Sequence, residues 1–260
     1  MKKIKESIKK SPALWFFLLT FGISWGCWLP SRLFLSSVLP EISSLLHTLG
    51  LCGPTISAII VTGAIKGKPG IDELLKRLTL WRVGWPWYLF VLFSTAVIGY
   101  LAIGLYVIIG GTAPAISFSI FIYLPGILTM GLTEEIGWRG FALPELQKKY
   151  SALTSAVIIG VIWAIWHLVI NPTHPLFILG FSLEVVLLSI IFTWVYNNTN
   201  GSILLVALYH TVMNIVISNL KIPTIPGLWL IYFSLDLLLV LIIVWHYGPR
   251  HLSISREEKR

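Results

Sequence analysis

The chain is 260 residues long, 56% hydrophobic and only 12% charged, which leaves too little polar surface for an ordinary water-soluble domain. Its net charge of +8 does not mark a nucleic-acid partner, because the basic residues are sorted by side of a membrane rather than gathered into a patch. Cys27 and Cys52 both fall in apolar stretches without metal-type spacing and read as buried thiols, so redox chemistry is not indicated.

Crossing about 30 Å of hydrocarbon at 1.5 Å per residue takes roughly 20 apolar residues of helix. Eight stretches qualify: 12–29, 45–65, 85–109, 118–132 and onward, 152–170, 176–196, 202–219 and 228–245. The expected fold is therefore all-α, a polytopic membrane protein of about eight transmembrane helices. The lysine-rich start, MKKIKESIKK, is followed by no small-residue cleavage site, and the first span is read as retained. With the amino terminus inside, 17 of the 19 Lys and Arg fall on that side. Only Arg32 and Lys221 fall outside, which predicts both termini in the cytoplasm.

Between spans two and three, Ile71, Leu74, Leu75 and Leu78 recur at helical spacing beside Lys76 and Arg77, followed by Trp81, Trp85 and Trp87. This predicts an interfacial helix with its indoles at headgroup depth. The sequons at Asn197 and Asn200 lie in an inside loop and read as turn residues. No repeat or low-complexity linker divides the chain, so one domain, 1–260, is expected.

Ionisable residues within a span cost about 2.5 to 3.5 kcal/mol each on insertion scales, so each needs a partner or a purpose. The candidates are Glu134, Glu135 and Arg139, then His167, Glu184, His210 with Asn214, and Asp236. Glu135 and Arg139 stand four apart and can pair, while Glu134, turned by about 100° to an adjoining face, is left free to act. A snorkelling Glu/Arg cluster at a helix end is the bland alternative. The midpoint between Glu134 and His167 falls in the polar turn QKKYS, so a hairpin of spans four and five brings the two to one depth. Pro144 bends the first arm. His210 and Asn214, also four apart, share one face of span seven; inter-helix packing is the bland alternative for them. One cytoplasm-facing cavity holding all four groups is the geometric expectation.

The spacing Glu134-Glu135-Ile136-Gly137-Trp138-Arg139 resembles the EExxxR motif of the CAAX protease and bacteriocin-processing family (CPBP, or Abi), which includes the Rce1-like prenyl-protein endopeptidases. The family's second motif, usually FxxxH, is matched by Trp163 to His167, with tryptophan in place of phenylalanine, and its HxxxN by His210 to Asn214. His167 to Asn171 also spells HxxxN, but Asn171 precedes Pro172 and reads as a helix end. The resemblance covers about residues 118–219 and implies an Rce1-like helical bundle.

By that resemblance Glu134 is the general base for a water shared with His167. His210 and Asn214 donate to the oxyanion, and Arg139 braces Glu135. No cofactor is required on this reading; a zinc ion on Glu134, His167 and His210 is the alternative. The implied activity is intramembrane endopeptidase action on membrane-associated proteins or peptides, prenylated CAAX substrates or bacteriocin and signal peptides among them. The rivals are a non-catalytic immunity or regulatory protein and an ion-coupled transporter. Glu184 and Asp236 lie outside the motifs and are read as helix-packing or supporting residues. The expected partners are the bilayer and the substrate, with no nucleic acid, in a bacterial or archaeal plasma membrane.

Overall fold

A computed structural model describes residues 2–116, 124–170 and 175–254 of the chain. Every regular element among them is helical. The elements are α1 (Lys2–Lys10), α2 (Pro12–Pro30), α3 (Pro40–Leu51), α4 (Gly53–Lys76), α5 (Trp85–Ile108), α6 (Leu124–Gly137), α7 (Leu143–Gln147), α8 (Ala152–His167), α9 (Pro175–Asn198), α10 (Ile203–Asn219) and α11 (Pro226–Tyr247). Proline opens the first turn of α2, α3 and α11, where its missing N–H costs nothing. Ser151 and Ser202 cap α8 and α10 by accepting from the amides of Thr154 (3.1 Å) and Leu205 (3.2 Å).

Four helices are long and apolar enough to cross a bilayer, and a fifth span follows if the bent α3–α4 pair is one. The chain is thus a polytopic helical membrane protein, though not all eight expected spans take the form of long helices. The stretch expected at 45–65 is broken at Cys52, where α3 and the α4 segment meet at 47°. The fifth and seventh spans are short, 16 and 17 residues. The start of the fourth, at Phe118, and Asn171 lie outside the described residues.

Gly67, at φ 66°, interrupts α4 and sets off its last turns. The interfacial helix expected there is therefore an angled continuation of α4, followed by exposed Trp81 and Trp85. Trp87 instead packs on Trp194 at 4.8 Å. Asn200, with φ 55°, is a turn residue as expected, whereas Asn197 belongs to the last turn of α9 and donates to the His251 carbonyl (2.7 Å). Cys27 and Cys52 are free thiols, half-buried rather than fully buried.

α9 is the most enclosed of the long helices, with 61% of its span buried against 22–28% for α2, α5 and α11. Those three present leucine, valine and phenylalanine outward, for example Leu18, Phe93, Val97 and Leu238, as a lipid-facing surface requires. Inside, small residues let backbones approach. A Cβ on Gly160 would meet the Val186 Cα of α9 at 2.8 Å, and one on Gly137 would meet the Pro54 backbone of α4 at 2.6 Å.

Candidate active site

The site is built where α6, α8 and α10 meet. At Gly131 the approach of α6 to α10 is so close that an added Cβ would lie 2.6 Å from Thr211 Oγ1 and 2.8 Å from the Ala207 carbonyl. One turn later, Glu135 therefore reaches His210: its Oε1 lies 2.9 Å from His210 Nδ1 and 3.0 Å from Arg139 Nη1. Arg139 sits in a π-helical turn, Trp138–Ala142, that directly follows α6. Its guanidinium lies 4.8 Å from the ring centroids of both Trp163 and Phe192, which supply cation–π attraction inside the bundle. Arg139 and Glu135 are both fully buried, so removing either would strand a charge in apolar surroundings.

Trp163 of α8 joins the two acid–base candidates. Its indole N–H donates to Glu134 Oε2 at 2.7 Å, and its backbone carbonyl accepts from His167 Nδ1 at 2.8 Å. Its ring also meets His210 edge-on, with centroids 5.4 Å apart. A carbonyl can only accept, so His167 carries its proton on Nδ1, and the neutral ring presents a lone pair at Nε2. His210, with Nδ1 toward an ion-paired carboxylate, likewise has Nε2 left over. That nitrogen donates a hydrogen bond only when the ring is doubly protonated.

Glu134, His167 and His210 are thus brought together, with Glu135 and Arg139 beside them. Asn214 lies one turn beyond His210, half-buried, with no hydrogen bond to another described residue. Two expectations need correction. Glu134 is not unpartnered, since it accepts the Trp163 N–H. Nor do the groups line an open cavity: Glu134 is 1% and His210 3% exposed, and only His167 and Asn214 keep partial exposure. As for the zinc alternative, no three His, Cys, Asp or Glu side chains among the described residues converge as a metal site.

Sequence reasoning missed three features: the indole donor to Glu134, the Glu135–His210 contact and Phe192 under Arg139. Trp163 carries a readable signal, standing four residues before His167 on the same helical face. Phe192 carries none, as an apolar residue in an apolar helix. Glu184 and Asp236 sit side by side, with Tyr232 next to Asp236, and join α9 to α11. Among the described residues no hydrogen bond links them to the motif residues.

An ion-paired Glu/Arg/His cluster and a tryptophan-held glutamate thus lie together inside a polytopic membrane protein, enclosed by apolar helices. Residues 115–216 match the family model described as Type II CAAX prenyl endopeptidase Rce1-like. The chain is also 28% identical over 233 residues to CAAX prenyl protease 2 of Methanococcus maripaludis, covering 81% of this chain and 85% of the relative. The matched segment and the archaeal relative, together with the three motifs, support the chain's resemblance to the CAAX protease and bacteriocin-processing family.

Proposed function

We propose that the protein is an intramembrane endopeptidase in which Glu134 activates the attacking water, acting on membrane-associated substrates that include prenylated CAAX-type chain ends. The observation that carries this reading is the double grip of Trp163, which fixes Glu134 and His167 on one side of the site while Glu135 and Arg139 fix His210 on the other. The name of the archaeal relative supports the substrate class.

In this mechanism a water oxygen attacks the scissile carbonyl carbon while its proton passes to Glu134. His167 Nε2 accepts the water's second hydrogen as a hydrogen bond and so orients it. Doubly protonated His210, with Glu135 as its counter-charge, donates from Nε2 to the oxyanion, and the Asn214 amide, free of other partners among the described residues, adds a second donor. Collapse of the tetrahedral intermediate breaks the C–N bond, and the proton held by Glu134 goes to the leaving amine. Arg139 holds Glu135 in place through their ion pair. Because Glu134 and His210 are enclosed, the substrate reaches them from the half-exposed side of His167 and Asn214, and the bundle parts there. The bilayer supplies the substrate, the membrane is that of a bacterium or archaeon, and no metal takes part.

The test is cleavage of farnesylated CAAX peptides by detergent-purified protein, with and without a chelator, for the wild type, Glu134→Gln and His210→Ala. We expect cleavage by the wild type to survive the chelator and to fall by about 100-fold or more in Glu134→Gln. Chelator-sensitive cleavage restored by zinc would replace the water-and-glutamate mechanism with a metal one. Full activity in both variants would remove these residues from catalysis.

A further inference from the structure

A cavity of about 400 Å³ opens at the end of the bundle where α1, α4 and the turn after α7 meet. Six cations line it: Lys9, Lys10, Lys66, Arg77, Lys148 and Lys149, against two anions, Glu73 and Glu145. The two anions leave an excess of four positive charges. Lys66 pairs with Glu73 at 3.1 Å and Lys148 with Glu145 at 2.5 Å. Lys9, Lys10 and Lys149 are exposed and have no carboxylate partner among the described residues. Two separate elements, α1 and the turn after α7, thus bring uncompensated ammonium groups to the lining of one recess, which makes it an anion site.

The rest of the wall narrows the occupant. Pro12, Ile65, Leu74, Phe141 and Pro144 give the recess an apolar side, which a free inorganic anion cannot use but the glycerol and upper acyl chains of a lipid can. The depth agrees, since Pro12 opens the first spanning helix and exposed Trp81 and Trp85 mark headgroup level beside the angled end of α4. A zwitterionic headgroup would bring its own ammonium into the cation excess and be repelled. We propose that this recess binds the phosphate of an anionic phospholipid headgroup, one lacking an amine. Gly140 and Phe141, in the same wall, follow Arg139 directly in the chain, so the occupant braces the turn that carries Arg139. The binding does not depend on the chain's being a peptidase.

The experiment titrates phosphatidylglycerol, phosphatidylcholine or inorganic phosphate into the detergent-solubilised full chain and follows the thermal unfolding midpoint. Phosphatidylglycerol is expected to raise the midpoint saturably, and phosphatidylcholine not to. The Lys9→Gln/Lys10→Gln/Lys149→Gln variant should bind it on the order of 100-fold more weakly, at about fivefold per surface lysine. Lys3→Gln/Lys5→Gln/Lys76→Gln removes the same charge from outside the recess and should bind as the wild type does. Equal weakening in both variants would reduce the effect to diffuse surface attraction and overturn the site. Stabilisation by inorganic phosphate at the same concentrations would overturn the lipid assignment in favour of a free phosphate. No response to phosphatidylglycerol would overturn both.

Discussion

Trp163 holds Glu134 through its side chain and His167 through its backbone, and only the first contact depends on its being tryptophan. Trp163→Phe introduces the family's usual residue and keeps a ring beside Arg139, but removes the N–H from a buried carboxylate. A hydrogen bond to a charged group contributes about 1.5–3 kcal/mol. Cleavage of a farnesylated CAAX peptide should therefore fall about 10- to 100-fold, with a lower unfolding midpoint. Unchanged kinetics and an unchanged midpoint would show that the indole does not set the state of Glu134. Glu135 is the harder residue to replace, because its Oε1 serves both Arg139 and His210. Glu135→Gln should cost about 3–5 kcal/mol by leaving the Arg139 charge buried and unpaired. Adding Arg139→Leu should restore part of that stability, as read by denaturant unfolding of the two single variants and the double. A double variant no more stable than Glu135→Gln alone would mean that Arg139 is compensated by something other than Glu135.

At the scale of elements, the position of the site rests on how closely α6 lies against α10. Gly131→Ala places a methyl against the Ala207 carbonyl, which cannot rotate away. Overpacking of this kind costs about 1–3 kcal/mol, and the displaced α6 should draw Glu135 away from His210, so activity falls along with the unfolding midpoint. Gly22→Ala on α2, where an added Cβ meets nothing within 4 Å, is the matched control and should leave both unchanged. A Gly131→Ala protein indistinguishable from this control would show that the helices have room the structure does not give them. Hydropathy alone made α2, α5, α9 and α11 legible, since a long apolar run in a bilayer has few alternatives to a spanning helix. It could not reveal the break at Cys52 or the shortness of α8 and α10, because window sums count apolar residues without knowing where the backbone turns. The motif residues were legible for a different reason, as ionisable groups that stand out in an apolar background. Their partners were not: Glu135 and His210 are 75 positions apart, and no local spacing relates them.

On the scale of the whole molecule, the described chain begins and ends at one end of the bundle. The amides of Ala152 and Leu153, just past the α7–α8 turn, donate to the carbonyls of Arg250 (2.9 Å) and Pro249 (3.0 Å). Asn198, at the end of α9, donates to the Leu252 carbonyl at 2.8 Å. The same α7–α8 turn contributes Lys148 and Lys149 to the recess that Lys9 and Lys10 line from the other side. At this end too, Ser202 at the start of α10 donates to the Leu80 carbonyl at 2.6 Å. The 17 residues of α10 then carry the chain about 25 Å to Thr224 at the far end. Since the shared end holds nearly all the basic residues, it should face the cytoplasm. In a background without Cys27 and Cys52, single cysteines at Lys3→Cys and His251→Cys should react with an impermeant maleimide only after cells are permeabilised, and Thr224→Cys in intact cells. Labelling of Lys3→Cys and His251→Cys together in intact cells would invert the topology and place the basic recess in the outer leaflet. Labelling of only one of those two would contradict the clasp between the α7–α8 turn and the end of α11, and with it the single bundle end on which the arrangement depends.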